Sequence, residues 1–162
     1  MLKNAVLSFY QAGHRRQAQK IYNQLRKLYP LDEFKAPLVV FARNRLREEL
    51  RTIGVNNAKE IILTMLRESY FRYAMRDDDE AAGLENMAEE AYDIYYKSIE
   101  PEERIALPDF KLLRYLALID FLNDQQYPPD LRRNLLGRIK IERSGLFEQL
   151  MQQEEEMLKK LK

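Results

Sequence analysis

Apolar residues along this chain recur at intervals of three and four, and the stretches that carry them are separated by very short breaks. That spacing is the signature of amphipathic helices joined by tight connections. The one run that reads locally as extended, Leu38-Val39-Val40-Phe41, has helical flanks. Punctuation agrees. The 162 residues contain 5 Gly and 6 Pro, too few turn formers for a many-stranded sandwich or barrel.

The stripes predict seven or eight helices. Leu2, Ala5, Val6, Phe9 and Tyr10 mark the first, over 2–12. Ala18, Ile21, Tyr22, Leu25 and Leu28 mark the second, over 14–28, which Pro30 ends. A third runs from Pro37 to about Ile53, with Gly54 placed as its C-terminal cap. Asn56 or Asn57 caps a fourth, about 58–75. After the polar run Arg76-Asp77-Asp78-Asp79-Glu80 a fifth covers about 80–99. Pro101 and Pro108 bracket a connector. The sixth helix, about 108–122, is apolar on most sides and is expected to be buried on more than one of them. Two more follow, from Pro129 and from Ser144, and the all-polar stretch Gln152 to Glu156 leaves the final turns fraying or awaiting a partner.

The first two helices, joined by one or two residues, must form a hairpin. Within it stand Phe9 and Tyr10, Gly13, Ala18, Tyr22 and Pro30. Gly13 lets the chain reverse, Ala18 lets the helices approach, Phe9 and Tyr22 fill the space between hairpins, and Pro30 stops the helix. This arrangement resembles a tetratricopeptide repeat over residues 2–30. A degenerate copy is read over 58–101, where Ala91 and Tyr95 repeat the interval of Ala18 and Tyr22 and the acidic run enlarges the intervening turn. The resemblance implies an all-α right-handed stack of antiparallel hairpins with a C-terminal helical cap. It would be one domain over 1–162, with sub-units 1–54, 55–107 and 108–162. A repeat array needs a polar capping face at each end, and the first hairpin has none upstream. The chain is therefore expected either to continue a longer protein or to pair with another subunit there.

Charge is polarised beneath a net value of +1. Residues 1–55 carry 11 Lys/Arg against 4 Asp/Glu, residues 56–107 carry 6 against 13, and residues 108–162 carry 10 against 9. Three readings stand: solvated helix faces, a polar binding surface, or head-to-tail packing of copies. The absence of Cys excludes disulfides, thiolate zinc sites and thiol catalysis, and a single His excludes a multi-His metal centre. No apolar run approaches the ~20 residues of a membrane span, and a cytoplasmic location is the expectation.

Arg43, Arg47 and Arg51 recur every four residues and form a ridge. It is either a clamp for phosphate or carboxylate or a solvated face in which Arg43 and Arg45 pair with Glu48 and Glu49. Tyr70 and Tyr73, with Tyr92, Tyr95 and Tyr96, concentrate aromatic surface that either packs inside or meets a peptide. Asp77 to Glu80 reads as a helix start rather than a cation loop, since consecutive acids point in different directions. His14 sits in the hairpin turn with no triad partner near it. No catalytic constellation, metal set or cofactor motif is present, and a non-enzymatic role is expected. The resemblance implies an interaction or scaffold module presenting a concave helical surface to a peptide or helix, acidic in character if the arginine ridge is used. The alternatives are an accessory region of a larger enzyme or membrane-associated protein, and a nucleic-acid-associated helical repeat.

Overall fold

The computed structural model describes residues 2–162, and the regular elements among them are all helical. In chain order they are α1 (Leu2–Gln11), α2 (Arg15–Leu28), a short 3-10 turn (Asp32–Phe34), α3 (Leu38–Leu50), α4 (Val55–Ala74), α5 (Asp78–Ser98), α6 (Pro101–Arg104), α7 (Phe110–Asn123), α8 (Pro129–Glu142) and α9 (Ser144–Lys160). The class is all-α, as the spacing of apolar residues predicts. None of these helices is long and apolar enough to cross a membrane.

Several local expectations are corrected. Gly54 is not a left-handed cap: α3 ends at Leu50, and Gly54 has φ −78 and stands at the N-cap of α4. Asn56 and Asn57 accordingly lie inside α4. Pro101 opens a one-turn helix within the expected connector, because proline at a first helical position forfeits no hydrogen bond. Phe9 does not fill the space between hairpins. It is 37% exposed, edge-on to His14, and Val6 takes the interior position.

The acidic run does not enlarge a turn either. It forms the first turn of α5, where Asp78, Asp79 and Glu80 complement the helix dipole. The α4–α5 connection is then three residues, Met75-Arg76-Asp77, the same length as Ala12-Gly13-His14 between α1 and α2. The two turns are one motif. Gly13 has φ +72, its N–H donates to Tyr10 O (3.1 Å), and the His14 N–H donates to Phe9 O (2.8 Å). Arg76 has φ +61, its N–H donates to Tyr73 O (3.1 Å), and the Asp77 N–H donates to Arg72 O (2.9 Å). This is the paired 5→2 and 6→1 bonding that closes a helix through a left-handed residue. Tyr10 and Tyr73 each precede the left-handed residue by three, and Ala18 and Ala81 each follow it by five. The second hairpin is therefore in register through Ala81. Ala91 and Tyr95 are buried in α5 but lie 15 and 19 residues beyond Arg76.

Glycine suits the left-handed position and arginine does not. At Gly13 an added Cβ would also meet the Arg72 Nε at 2.9 Å, so the first turn sits directly on the end of α4. Arg76 accepts the strain of a β-carbon in that region. Arg76→Gly is expected to stabilise the protein by about 1 kcal/mol, read as a higher denaturant midpoint with unchanged slope.

The interior is two adjoining apolar clusters. The smaller gathers Val6, Ala18, Tyr22, Leu25, Phe34, Leu38 and Phe41. Tyr22 is fully buried at its centre, 4.9 Å from the Phe41 ring, and its hydroxyl donates to Phe34 O (3.2 Å) and Ala36 O (2.7 Å). One side chain thus fixes the connector between α2 and α3. The larger cluster is built around α4, which packs on α5, α7 and α8. Ala81, Ala88 and Ala91 let α5 approach α4 closely, and the buried Ser69 hydroxyl donates to Ala81 O (2.8 Å) across the gap. α7 packs against both α4 and α9, which accounts for its apolar surface. α3 joins the first hairpin to the body by packing on α1, α2 and α5, and Tyr10 touches both clusters.

Candidate functional site

The arginine ridge is largely occupied from within. Arg43 Nε lies 2.7 Å and Arg47 Nη2 3.1 Å from the two carboxylate oxygens of Glu90, so α3 is strapped to α5. Arg45 pairs with Glu48 along its own helix. Arg51 stands apart at the end of α3, exposed, beside a groove of about 430 Å³ that Tyr95, Ile99 and Glu103 also line. The helical spacing of the three arginines is real, but of the three only Arg51 makes no ion pair among the described residues, and Glu100 and Glu103 share its groove.

Tyr70 and Tyr73 offer no surface to a partner, being 6% and 7% exposed. The Tyr70 hydroxyl donates to Arg114 O (3.1 Å) and that of Tyr73 to Glu142 Oε2 (2.8 Å). Burial pushes both phenols up, Tyr73 to about 12 with help from its bond to Glu142, and Tyr70 well above the usual range. They belong to a polar lattice that ties the C-terminal helices to α4 and α5. Glu85 takes Arg114 at 2.8 Å and both carboxylate oxygens accept from Arg143 Nη2 at 3.0 and 2.9 Å. Arg138 lies over the Tyr73 ring at 4.0 Å, donates to the Tyr73 carbonyl, and holds Asp78 and Glu142, each at 2.8 Å.

Two more acids of the run are engaged in the same way, Asp77 with Arg72 (3.8 Å) and Glu80 with Arg15 (3.6 Å). Among the described residues no cluster of His, Asp and Glu is placed to hold a metal ion.

The Arg138 lattice carries a pH dependence. Its guanidinium, hydrogen-bonded to both, holds the carboxyls of Asp78 and Glu142 below their ordinary 3.8 and 4.5. A lowered folded-state value favours the native state above the ordinary range, and that contribution is lost as pH falls through the lowered one. Melting temperature measured from about pH 6 to about pH 2 should fall less steeply in Asp78→Asn/Glu142→Gln than in the parent, with the two curves converging at the acid end.

A different feature has the makings of a site. Asn4, Ser8 and Gln11 succeed one another along one side of α1, and Arg45, Glu48, Glu49 and Thr52 along and just beyond α3. Because α1 packs on α3, the two rows face each other across a groove of about 450 Å³, with the buried Leu7 also in its wall. The opposite side of α1 turns Val6 into the smaller cluster, which fixes the direction of the polar row. The Thr52 hydroxyl donates to Glu49 O (3.0 Å) and so stays with its own helix end. The Gln11 Nε2 is buried without any acceptor. A shielded amide donor left unpaired costs about 1–3 kcal/mol, and such groups are uncommon in native proteins. The groove offers donors from Asn4 and Arg45 alongside acceptors from Glu48 and Glu49, with the Gln11 amide nitrogen shielded in its wall.

The groove was not visible in sequence. Its α1 residues are ordinary polar side chains, and only the i, i+4, i+7 spacing of Asn4, Ser8 and Gln11 hints that they share a side. Compared with known proteins, the chain matches no family model, no curated protein and no solved structure.

Proposed function

We propose that this chain is a protein-interaction module of the tetratricopeptide-like kind, and that the groove between α1 and α3 receives an extended segment of a partner protein. The observation that carries this reading is the unpartnered Gln11 amide in the groove. An extended peptide presents a carbonyl at every residue. A small rotation of the Gln11 carboxamide lets it donate to one of them and removes the cost of the orphaned donor. The two hairpins that share a left-handed turn, with a tyrosine and an alanine at matching offsets, support the helical-repeat reading.

The mixed polarity of the groove favours recognition of main chain over recognition of a strongly acidic sequence. Arg45 is already answered by Glu48, and Arg43 and Arg47 by Glu90. Any acidic preference rests with Arg51, outside this groove.

The test is selection of peptides from a displayed random library, followed by binding measured with fluorescence anisotropy. Gln11→Ala and Arg45→Ala should each weaken a selected peptide by about threefold to tenfold, with no loss of melting temperature. Binding that ignores both changes would place the peptide elsewhere and refute the assignment.

A further inference from the structure

The end of the first hairpin is both apolar and basic. Leu2, Leu25, Tyr29, Leu31 and Phe34 line a shallow groove of about 360 Å³ where the start of α1 meets the end of α2. Tyr29 and Leu31 are 52% and 51% exposed, and Leu28, next to Tyr29 in the chain, is 64% exposed. Around them the charge is one-sided. α2 carries Arg15, Arg16, Lys20, Arg26 and Lys27 and no acid. Arg15 pairs with Glu80, but Arg16, Lys20, Arg26 and Lys27 are exposed and make no ion pair among the described residues. The two acids of the connector after α2 do not offset them, because Glu33 is held by Lys3 at 2.5 Å and Asp32 by Lys35 at 2.6 Å. Arg26 and Lys27, in the last turn of α2, are thus unanswered charges next to the exposed apolar tip. Lys20 and Arg16 lie about 10 and about 16 Å from Lys27 along the helix.

We propose that this tip docks on the surface of an anionic phospholipid bilayer. Leu28, Tyr29 and Leu31 enter the headgroup layer, and Arg26 and Lys27 meet the lipid phosphates and carboxylates. Stable attachment to a bilayer surface takes two signals, such as an apolar anchor and a basic patch, and the tip supplies both. Each cation near such a surface contributes about a fivefold gain in partitioning. Lysine and arginine hold their charged heads at the interface while their stems lie along apolar surface. Tyrosine is favoured at that depth, where one end is apolar and the other wet. A bilayer also fits the arrangement better than other anionic partners do. Cations spread over about 16 Å of helix suit a plane of negative charge rather than one converging site. Single-stranded nucleic acid is held on aromatic platforms, whereas two of the three side chains that protrude here are leucines.

Flotation of the full chain with lipid vesicles tests this. The chain should bind vesicles of about 30% phosphatidylserine in phosphatidylcholine and ignore vesicles of phosphatidylcholine alone. Binding should weaken about tenfold between about 0.05 M and about 0.5 M salt. The chain contains no tryptophan, so Leu31→Trp supplies a sole reporter, whose emission should shift to the blue on binding. Leu28→Ser/Leu31→Ser should weaken partitioning by about tenfold, and Arg26→Gln/Lys27→Gln by about 25-fold. All four positions are exposed, and thermal melts matching the parent's establish that both variants are folded. Arg45→Ala, in the α1–α3 groove, should bind vesicles as the parent does. Absence of binding to the anionic vesicles at low salt, an unmoved Leu31→Trp emission, or undiminished binding by either double variant would each overturn the proposal. So would tighter binding to polyuridylate than to the vesicles, which would give the basic row to nucleic acid.

Discussion

Glu85→Ala is expected to lower the unfolding free energy by about 3 kcal/mol, and to reduce the melting temperature by about 5–10 °C. Glu85 is 13% exposed at its side chain and is the common counter-ion of Arg114 and Arg143, which come from α7 and the α8–α9 joint. Its removal leaves two guanidinium groups, 19% and 35% exposed, facing one another with no carboxylate between them. Breaking such a group by removing one partner costs far more than the pair contributes, because the remaining charges stay desolvated. Arg114 already has an Nε with no acceptor and cannot readily find another partner. Glu85→Gln, which keeps the shape and loses the charge, should show most of the same loss. Added salt should restore little of it, since the cluster is mostly shielded from solvent. A loss below about 0.5 kcal/mol, the level of an ordinary surface change, would mean that Glu85 does not hold these helices together.

The second large effect belongs to Tyr22. Tyr22→Ala should cost about 3–5 kcal/mol, the range for emptying a buried aromatic site. The ring lies among Phe34, Phe41 and the Arg26 guanidinium, and nothing nearby can collapse into its place without moving the α2–α3 connector. Tyr22→Phe separates the two contributions. It keeps the ring and leaves the carbonyls of Phe34 and Ala36 without their donor, at a cost of about 1–2 kcal/mol. The two apolar clusters should make the losses local. Hydrogen exchange in Tyr22→Ala should quicken across α1, α2 and α3 before it does in α4 and α5, whereas Glu85→Ala should loosen α7 and α8 first. Uniform acceleration in both variants would show that the clusters unfold as one unit.

Much of the fold can be read from spacing alone, and particular residues show where that stops. The stripe Ala18, Tyr22, Leu25 is regular and ends at proline, so α2 was legible almost to its ends. The α4–α5 turn was hidden by one residue. Arginine occupies the left-handed position that glycine holds in the first hairpin, and the acids after it, legible as a helix start, also read as a lengthened turn although they form the first turn of α5. The register through Ala81 was lost with it. Gly54 misled in the opposite direction, because a glycine after a helical stripe is as compatible with the start of the next helix as with the end of the last.

Sites are harder to read because spacing along one helix says nothing of what lies across from it. Arg43 and Arg47 are correctly placed on one side of α3. That the side faces Glu90 depends on how α3 crosses α5. The tyrosines illustrate the same limit. Tyr70 and Tyr73 have the right chemistry for an interface and the wrong depth, set by α7 and α8 closing over α4. The α1–α3 groove is a product of packing between elements that individually look solvated.

The most direct measurement is a two-dimensional NMR titration of the full chain with a library-selected peptide, following backbone amides and the Gln11 side-chain NH₂ pair. If the peptide enters the α1–α3 groove, the Gln11 pair should move downfield as it gains an acceptor. Shifts should then concentrate at Asn4, Ser8, Gln11, Arg45 and Thr52, with α7 to α9 silent. A saturating titration that leaves the Gln11 pair unmoved, or that shifts residues around Arg51 or on the C-terminal helices instead, would contradict the assignment of this groove as the binding site.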